Sequence, residues 1–376
     1  MSCVFRRYID CVAHQAAEGR RPRAAGIREV AAAAGVSLTT VSHALNGMGR
    51  LSEATRQRVI DAAARLEYRA NPSARNMRSA ASGVIAVINQ LSEGASFQAS
   101  DLEFIMRLNQ AICLAAWERD CYPTLLPPGA GAGFLGRIPL DGAILADPVR
   151  SDGTLHALDD LGIPVVTVGR DAACSPDRQW WADNDIEATT SGVLDHLAAA
   201  GAESVCLVSA DTGQSYMTDA VNAYLRWCGE RGASARLHVL ASPFSAGDCF
   251  AAVSRECSGP RPADALYLVV EALVRPALDA VADAGLTVPG QVQVAVASDS
   301  AMARTGRLAL TAVDLHPDDI GAAAVGLLAS RLAGEPPRTA VVPASLVVRG
   351  STRPVPAQPA ATQLTPAQPT TGGTSR

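Results

Sequence analysis

Lysine is absent from this sequence, and other features that define common protein classes are absent as well. Without lysine the chain cannot form a P-loop, which uses that side chain to bind phosphates. No run of eighteen apolar residues occurs, so no transmembrane helix is predicted. The first 26 residues lack the uninterrupted apolar segment of a signal peptide. These absences predict a protein that stays in the cytoplasm and does not contact a membrane.

Patterns typical of catalytic and metal sites are also missing. Neither G-x-S-x-G nor H-E-x-x-H occurs, and the six histidines have no companion residues at catalytic or metal-binding spacing. The nine cysteines are scattered without a C-x-x-C pair, so we expect most of them to be small core residues. A redox switch is the alternative. We predict no catalytic residue, no metal ion and no cofactor, although an α/β enzyme whose triad is assembled by the fold stays open.

The segment 26–66 has the pattern of a helix–turn–helix followed by a third helix. Apolar residues at i, i+3 and i+4 predict a short first helix, and Gly35 can supply the sharp turn after it. Ser37 is suited to cap a second helix of about residues 38–46, and Ser52 to cap the third. The side chains expected to face inward are Ile27, Val30, Ala31, Val41, Leu45, Val59, Ile60, Ala63 and Leu66.

The outer face of the second predicted helix is short, polar and free of acidic residues. It presents Leu38, Thr39, Ser42 and His43. Such a face can enter the major groove of DNA and hydrogen-bond base edges. The alternative is a three-helix bundle without a ligand.

A second short segment, Asn71 to Arg78, combines a capping residue with Pro72 at the first helical position. Eight residues are too few to hold an isolated helix in water. Residues 1–82 carry thirteen arginines and six acidic residues, a charge of +7, while the whole chain carries −5. This asymmetry is typical of a basic DNA-binding segment on an acidic body. The alternative for 71–78 is an ordinary linker helix.

The body of the chain, 83–353, alternates short apolar runs with helical patterns. The runs are GVIAVIN, DGAILAD, IPVVTVG, SVCLVSA, ADALYLVV and VQVAVAS, and the helices are expected at about 99–119, 186–200, 217–231, 246–256, 273–285 and 317–333. This βαβ order predicts a doubly wound α/β fold with parallel sheets. Gly131, Gly133 and Gly136 spell G-x-G-x-x-G, but Pro139 and Gly142 prevent a long helix after them, so we predict a mobile loop and no dinucleotide.

The N-terminal motifs resemble the lactose-repressor and purine-repressor family of bacterial transcription factors. The resemblance is carried by REVAAAAGVSLTTVSHALN and LSEATRQRVIDAAARLEYRANPSARNMR, followed by the strand GVIAVIN, and it continues weakly to LVVRGST at 346–352. It implies an N-terminal extension (1–25), a helix–turn–helix domain (26–70), a hinge helix and linker (71–82), a two-lobed domain like periplasmic binding proteins (83–353) and a disordered tail (354–376).

The resemblance also implies a homodimer that binds an inverted-repeat operator in double-stranded DNA. Paired hinge helices would meet in the minor groove, where Met77 takes the position of an apolar wedge and Ala74 permits close approach. Arg50, Arg56, Arg58, Arg75 and Arg78 are expected to contact phosphates. The full DNA-binding set is Ser37, Leu38, Thr39, Thr40, Ser42, His43, Asn46, Arg50, Thr55, Arg56, Tyr68, Asn71, Ala74, Met77 and Arg78.

In this family a small-molecule effector binds in the cleft between the lobes. The residues implied for this chain are Phe97, Gln98, Arg170, Asp183, Asp219, Phe244, Glu271 and Asp299. Sugar-binding relatives commonly place an arginine near the start of the helix at 217–231 and Asn-Asp after the LYLVV strand, and both are absent here. The effector is therefore expected to be uncommon, more apolar or absent, and the alternative is that these residues only cap helices and fill the lobe interface.

Together these observations predict a sequence-specific DNA-binding regulator, most simply a repressor, that an effector controls by favouring one of two lobe arrangements. The alternative is a cytoplasmic solute-binding module without a DNA role. The missing signal peptide and the basic N-terminal segment both oppose that alternative.

Overall fold

The computed structural model describes residues 26–45, 50–66, 68, 81–90, 99–173 and 180–355. The chain divides between Ser82 and Gly83 into two compact units. The first contains three described helices: α1 (Ile27–Ala34), α2 (Leu38–Leu45) and α3 (Glu53–Arg65).

Local sequence determines where these three helices begin and end. Gly35 ends α1 with φ +64°, a left-handed conformation in which a Cβ would be strained. The Ser37 hydroxyl accepts a hydrogen bond from the Thr40 amide at 3.1 Å. The Ser52 hydroxyl likewise accepts one from the Thr55 amide at 3.2 Å and caps α3. The predicted turn and both predicted caps are confirmed.

The helices enclose a small apolar core, and one predicted position in it is wrong. Val30, Val41 and Val59 are fully buried as expected, but Ile60 is 41% exposed and Ala62 is buried instead. The 3.6-residue period explains this, because residues 59, 62, 63 and 66 share one face of α3 and residue 60 lies beside it.

Ser42 is not on the outer face of α2, since it is only 7% exposed. Helix α2 packs against both α1 and α3, so a wide part of its circumference is buried. A residue directly after the fully buried Val41 falls within that part. The outer face is therefore narrower than the sequence pattern indicated.

The second unit alternates strands and helices. Its strands are β1 (Val84–Asn89), β2 (Tyr122–Leu126), β3 (Gly142–Ala146), β4 (Val165–Val168), β5 (Trp181–Asn184), β6 (Val205–Asp211), β7 (Arg236–Ala241), β8 (Ala265–Leu268), β9 (Gln293–Val296), β10 (Thr311–Asp314), β11 (Ala340–Val342) and β12 (Ser345–Val347). Its helices are α4 (Ala99–Trp117), α5 (Ala132–Leu135), α6 (Gly153–Asp160), α7 (Ile186–Ala199), α8 (Ser215–Arg231), α9 (Ala246–Ser258), α10 (Val274–Asp283), α11 (Ala301–Thr305) and α12 (Pro317–Leu332), with a 3₁₀ turn at Glu271–Leu273.

The strands form two six-stranded sheets, one in each of two lobes. The first has the order β11-β5-β4-β3-β1-β2, and the second β12-β10-β9-β8-β6-β7. All pairs are parallel except β10 with β12. Each sheet buries apolar side chains against helices. The doubly wound α/β prediction is confirmed.

The chain passes between the lobes three times. It leaves the first sheet after β5, returns between β10 and α12, and crosses again between β11 and β12. The side-chain amide of Asn184 donates hydrogen bonds to the carbonyl oxygens of Leu315 at 3.1 Å and Val342 at 2.8 Å. One side chain at the end of β5 therefore links the three crossovers at the base of the cleft.

The six predicted strand runs and the six predicted long helices are all present. The loop predicted at the glycine-rich segment is wrong in part, because residues 132–135 form the single turn of α5. The fully buried Leu135 anchors that turn in the core of the first lobe. A four-residue helix still lacks the long helix that a dinucleotide fingerprint opens.

Candidate functional site

The first candidate surface is the outer face of α2 and the polar residues beside it. Leu38 is 42% exposed and Thr39 is exposed, whereas Thr40 and His43 are half-buried. Arg50 is exposed at the start of the segment that leads to α3. These side chains offer one apolar and several hydrogen-bonding groups on a surface that carries no acidic residue between 37 and 45.

Several residues predicted to contact DNA also make contacts within the first unit. The hydroxyls of Ser37 and Thr40 lie 2.9 Å apart, and that of Thr55 lies 2.8 Å from Ser52. Arg56 donates a hydrogen bond to the Ala44 carbonyl at the end of α2, at 3.0 Å. Tyr68 packs against the apolar core. A guanidinium has further donors, so the Arg56 bond fixes its position without using all of them.

The remaining predicted DNA contacts and two of the predicted effector contacts lie outside the described residues. These are Asn46, Asn71, Ala74, Arg75, Met77 and Arg78, together with Phe97 and Gln98.

The second candidate site is a cavity of ≈ 180 Å³ between the two lobes. It lies at the carboxyl ends of the parallel strands, where ligands bind in open α/β sheets. Of the predicted effector residues, Asp183 and Glu271 line it from opposite lobes, and Phe244 lines it from the loop before α9. Asp183 lies within β5 rather than after a strand, which corrects its predicted position.

Acidic and aromatic side chains make up much of the cavity lining. Asp147, Asp183 and Glu271 all line the cavity. The aromatic lining residues are Phe104, Tyr216, Phe244 and Tyr267. Among the described residues, no arginine or histidine lines the cavity.

The Asp183 carboxyl shows the electrostatic consequence of this arrangement. Its pKa is raised to about 7, mainly by burial and in part by the nearby charges of Asp147 and Asp219. The backbone N–H of Asn184 donates a hydrogen bond to this carboxylate at 2.7 Å, which lowers the pKa, and the charge of Arg170 lowers it as well. The cavity therefore resists the accumulation of negative charge.

Arg170 and Asp219 are close to the cleft but do not line the cavity. Arg170 follows β4 in the first lobe and donates a hydrogen bond to the Asp219 carboxylate on α8 in the second lobe. Its backbone amide donates to the Ser215 hydroxyl at 3.2 Å. The sequence has no arginine near the start of α8, and the arginine found beside that part of the helix is Arg170 of the other lobe, paired with a carboxylate.

Asp299 was predicted to contact an effector, and the structure places it outside the cavity. Its carboxylate accepts a hydrogen bond from Arg349 Nη2 at 2.9 Å, and Arg349 Nη1 lies 2.7 Å from the other carboxylate oxygen in the same ion pair. This ion pair joins the segment after β9 to the segment after β12 within the second lobe. The pairing explains an acidic residue at this position without a ligand.

Sequence reasoning missed Asp147 and Thr190. Asp147 directly follows the apolar strand β3, and an acidic residue at the carboxyl end of a parallel strand is a signal that was present in the sequence. Thr190 is in the interior of α7, and nothing in the linear sequence distinguishes it from a core residue. Its hydroxyl oxygen is buried and interacts with the Tyr267 hydroxyl.

One cluster of metal-ligand type lies elsewhere, between β6, β7 and α9. Donor atoms of Cys206, His238 and Glu256 lie within 4.8 Å of one another. Glu256 already accepts hydrogen bonds from His238 at 2.8 Å and Arg236 at 2.9 Å. Burial strongly raises the pKa of Cys206, which keeps it as a thiol. A guanidinium and a protonated thiol fit a structural network better than a cation site.

Two family models match the chain in the regions that contain these sites. Residues 26–71 match bacterial regulatory proteins of the lacI family, and residues 194–352 match a periplasmic binding protein-like domain. The chain therefore carries a lacI-family region at its N-terminal side. The resemblance that the sequence motifs indicated is confirmed.

Similarity to known proteins extends along most of the chain. The transcriptional repressor MelR of Bacillus subtilis is 26% identical over 338 residues, which cover 86% of this chain and 96% of MelR. A lac repressor dimer bound to operator shares the fold with a TM-score of 0.70 at 18% identity, over 88% of this chain and all of that chain. A CelR–cellobiose complex does so with a TM-score of 0.62 at 22% identity and the same coverage.

The chain is a DNA-binding transcriptional regulator. The relatives found are transcriptional regulators rather than enzymes. Within the described residues, no helix is both long and apolar enough to cross a bilayer.

Proposed function

We propose that this regulator is a cytoplasmic repressor without catalytic activity, which binds an inverted-repeat operator as a homodimer and responds to a small molecule in the inter-lobe cavity. The cavity carries this proposal, because both lobes contribute its walls. A ligand that contacts both lobes stabilises the arrangement in which they are close. It thereby shifts the equilibrium between lobe arrangements by the difference in its affinity for them.

The described structure supports this closed arrangement with contacts outside the cavity. The Arg150 amide donates to the Gly213 carbonyl at 2.9 Å, beside an isolated β-bridge between Val149 and Gln214. On another edge of the cleft, Arg304 in the second lobe bonds to Glu103 in the first at 2.5 Å. These contacts between the lobes are few and polar. The binding energy of a ligand of modest affinity is therefore enough to alter the equilibrium between the lobe arrangements.

The outer face of α2 supports the proposed readout of bases in the major groove. Leu38 and Thr39 form its exposed part, and His43 beside them is half-buried. Asn71, Ala74, Met77 and Arg78 remain proposed minor-groove and phosphate contacts through the resemblance. The arginines of the first unit supply sequence-independent affinity.

The first lobe presents an apolar surface suited to a second copy of this chain. Along α4, Leu102, Met106, Leu114 and Trp117 are 39–81% exposed, and Tyr122 and Leu125 on the adjacent edge strand β2 are 51% and 66% exposed. We call these six residues the α4 surface. A contiguous apolar patch of this kind marks an interaction site, and a self-complementary pairing through it produces a twofold dimer.

A mobility-shift experiment on DNA selected from random sequence tests the proposed function. The full-length protein should select an inverted repeat with a flexible pyrimidine–purine step at its centre. Recovery of direct repeats, of single half-sites or of no preferred sequence contradicts the proposal. A small molecule that binds the isolated protein should also change the fraction of shifted operator, with salt held constant.

A further inference from the structure

We propose that the inter-lobe cavity binds a mainly apolar molecule of about one ring, with few hydrogen-bond acceptors, rather than a sugar. The cavity wall is largely apolar, and hydrogen-bond donors in it already bond within the chain. This inference rests on the proposed function in assigning the cavity to an effector, and it adds the chemical class of that effector.

The apolar wall of the cavity is the first argument. Apolar side chains line it from both lobes, and they include Phe104, Ile105, Val168, Ile186, Met217 and Phe244. The cavity volume is ≈ 180 Å³, and a cavity of about 150 Å³ with apolar walls holds one benzene molecule. Burial of an apolar ring is favourable in proportion to the area removed from water. The volume and the wall therefore suit a single ring.

The engagement of the lining amides is the second argument. The Gln90 side-chain amide donates hydrogen bonds to the Asp152 carboxylate at 2.8 Å and to the Thr154 hydroxyl at 3.1 Å. The Asn184 side-chain amide donates to carbonyl oxygens of the crossovers. Each of these amides thus directs its N–H groups into the protein rather than towards a ligand.

Hydroxyl groups of the lining also interact within the chain. The Thr212 hydroxyl donates to the side-chain oxygen of Gln214 at 2.9 Å. The Thr190 hydroxyl, which is buried, interacts with the Tyr267 hydroxyl. Among the described residues, no arginine or histidine lines the cavity to supply further donors.

This engagement of donors selects against a polyhydroxylated ligand. A sugar ring carries a hydroxyl on most of its carbon atoms, and each of these oxygens accepts hydrogen bonds from water before it binds. Enclosure of such an oxygen without a donor costs free energy. The carboxyl groups of Asp183 and Glu271 have acceptor capacity beyond the bonds that they make. A hydroxyl donor on an otherwise apolar ring is therefore accommodated.

Probe pairs of similar ring size test the proposal. Cyclohexanol carries a single hydroxyl, whereas myo-inositol has the same carbon ring with a hydroxyl on every carbon. Benzyl alcohol and glucose are a second pair. Isothermal titration of the full-length protein should show at least one of the two alcohols binding about tenfold or more tightly than its polyhydroxylated counterpart. If neither alcohol does so, including the case of no binding, the proposal is wrong.

Variants locate the binding. Phe244→Ala removes a ring from the cavity wall and should weaken binding of the preferred alcohol by about fivefold or more. Phe244→Leu, which keeps an apolar side chain, should bind it more tightly than Phe244→Ala does. Phe134→Ala is the control, since Phe134 is 46% exposed on α5 and does not line the cavity. Equal weakening by Phe244→Ala and Phe134→Ala would place the binding outside the cavity and overturn the proposal.

These titrations contain no DNA, so failure of this inference is separable from failure of the proposed function. A sugar that binds more tightly than either alcohol and releases the operator overturns the inference and supports the proposed function.

Discussion

Arg170 at the end of β4 and Asp219 on α8 form an ion pair that joins the two lobes beside the cavity. The two side chains are 33% and 17% exposed, so water screens this pair less than it screens a surface pair. The pair exists only when the lobes are close. It therefore stabilises the closed arrangement independently of any ligand.

A double-mutant cycle with Arg170→Ala and Asp219→Ala measures this coupling. We expect each single variant to lower the free energy of unfolding by about 1–3 kcal/mol, with a coupling energy on the order of 1 kcal/mol or more. Urea titration gives these values. The pair Arg275–Asp279 within α10 is the control, since its side chains are 76% and 49% exposed and its coupling should be roughly 0.5 kcal/mol or less. Equal coupling in both cycles contradicts a role in closure.

The raised pKa of Asp183 predicts how stability depends on pH. The carboxyl keeps its proton in the folded protein up to about pH 7, while an ordinary unfolded aspartic acid loses it near its reference value of about 4. Between these values the folded state binds more protons, so the free energy of unfolding falls as pH rises and levels off above about pH 7. The charged groups that act on this carboxyl are Asp147, Arg170 and Asp219.

Replacement of Asp183 by Asn tests this dependence. An amide keeps the acceptor for the Asn184 N–H and has no proton to lose, so Asp183→Asn should be more stable than the wild type at pH 8. That advantage should shrink towards pH 4.5. Urea titrations of both proteins at several pH values provide the comparison. A difference between the two proteins that is constant from pH 4.5 to 8 would show that Asp183 titrates normally.

The sequence predicted the centres of both sheets better than their edges. The strands β1, β3, β4, β6, β8 and β9 are buried on both faces and therefore appear as continuous apolar runs. The edge strands β2 and β7 have half-exposed side chains and a mixed pattern, so they resemble loops in the sequence. In the site, Asp183 was identified by resemblance, but its proximity to Asp147 and Glu271 depends on how the strand ends meet in space.

Two glycines of α12 give a matched pair of packing predictions. A Cβ at Gly321 would lie 2.9 Å from the Leu108 carbonyl oxygen and 2.8 Å from the Ala111 Cβ, both on α4, whereas a Cβ at Gly326 would meet nothing within 4 Å. Gly321→Ala should therefore lower the free energy of unfolding by about 1–3 kcal/mol. Gly326→Ala should raise it by up to about 1 kcal/mol, because alanine favours the helix. Thermal and urea unfolding measure both, and destabilisation by both variants would contradict this close approach of the two helices.

The α4 surface predicts the oligomeric state. Trp117 is 81% exposed and Met106 is 67% exposed on the same side of α4. Trp117→Arg and Met106→Glu should each convert a dimer into a monomer at micromolar concentration, because a charge would be buried without a partner. Sedimentation velocity measures the change. Leu225→Glu, at a 44% exposed position on α8, is the control and should remain dimeric. A wild-type monomer, or dimers in all three variants, excludes this surface.

His43 provides the sharpest prediction for DNA recognition. Its ring is half-buried on α2 beside the exposed Leu38 and Thr39. An imidazole offers one ring edge, whereas an arginine reads guanine through two parallel hydrogen bonds. His43→Arg should therefore shift the preferred operator towards guanine at one position in each half-site, by roughly 1–3 kcal/mol. The salt dependence of binding should change little, because phosphate contacts are not altered. Binding profiles of the wild type and the variant on randomised half-sites, measured at one salt concentration, provide the comparison. Profiles that agree at every base would show that the outer face of α2 does not read DNA through this residue.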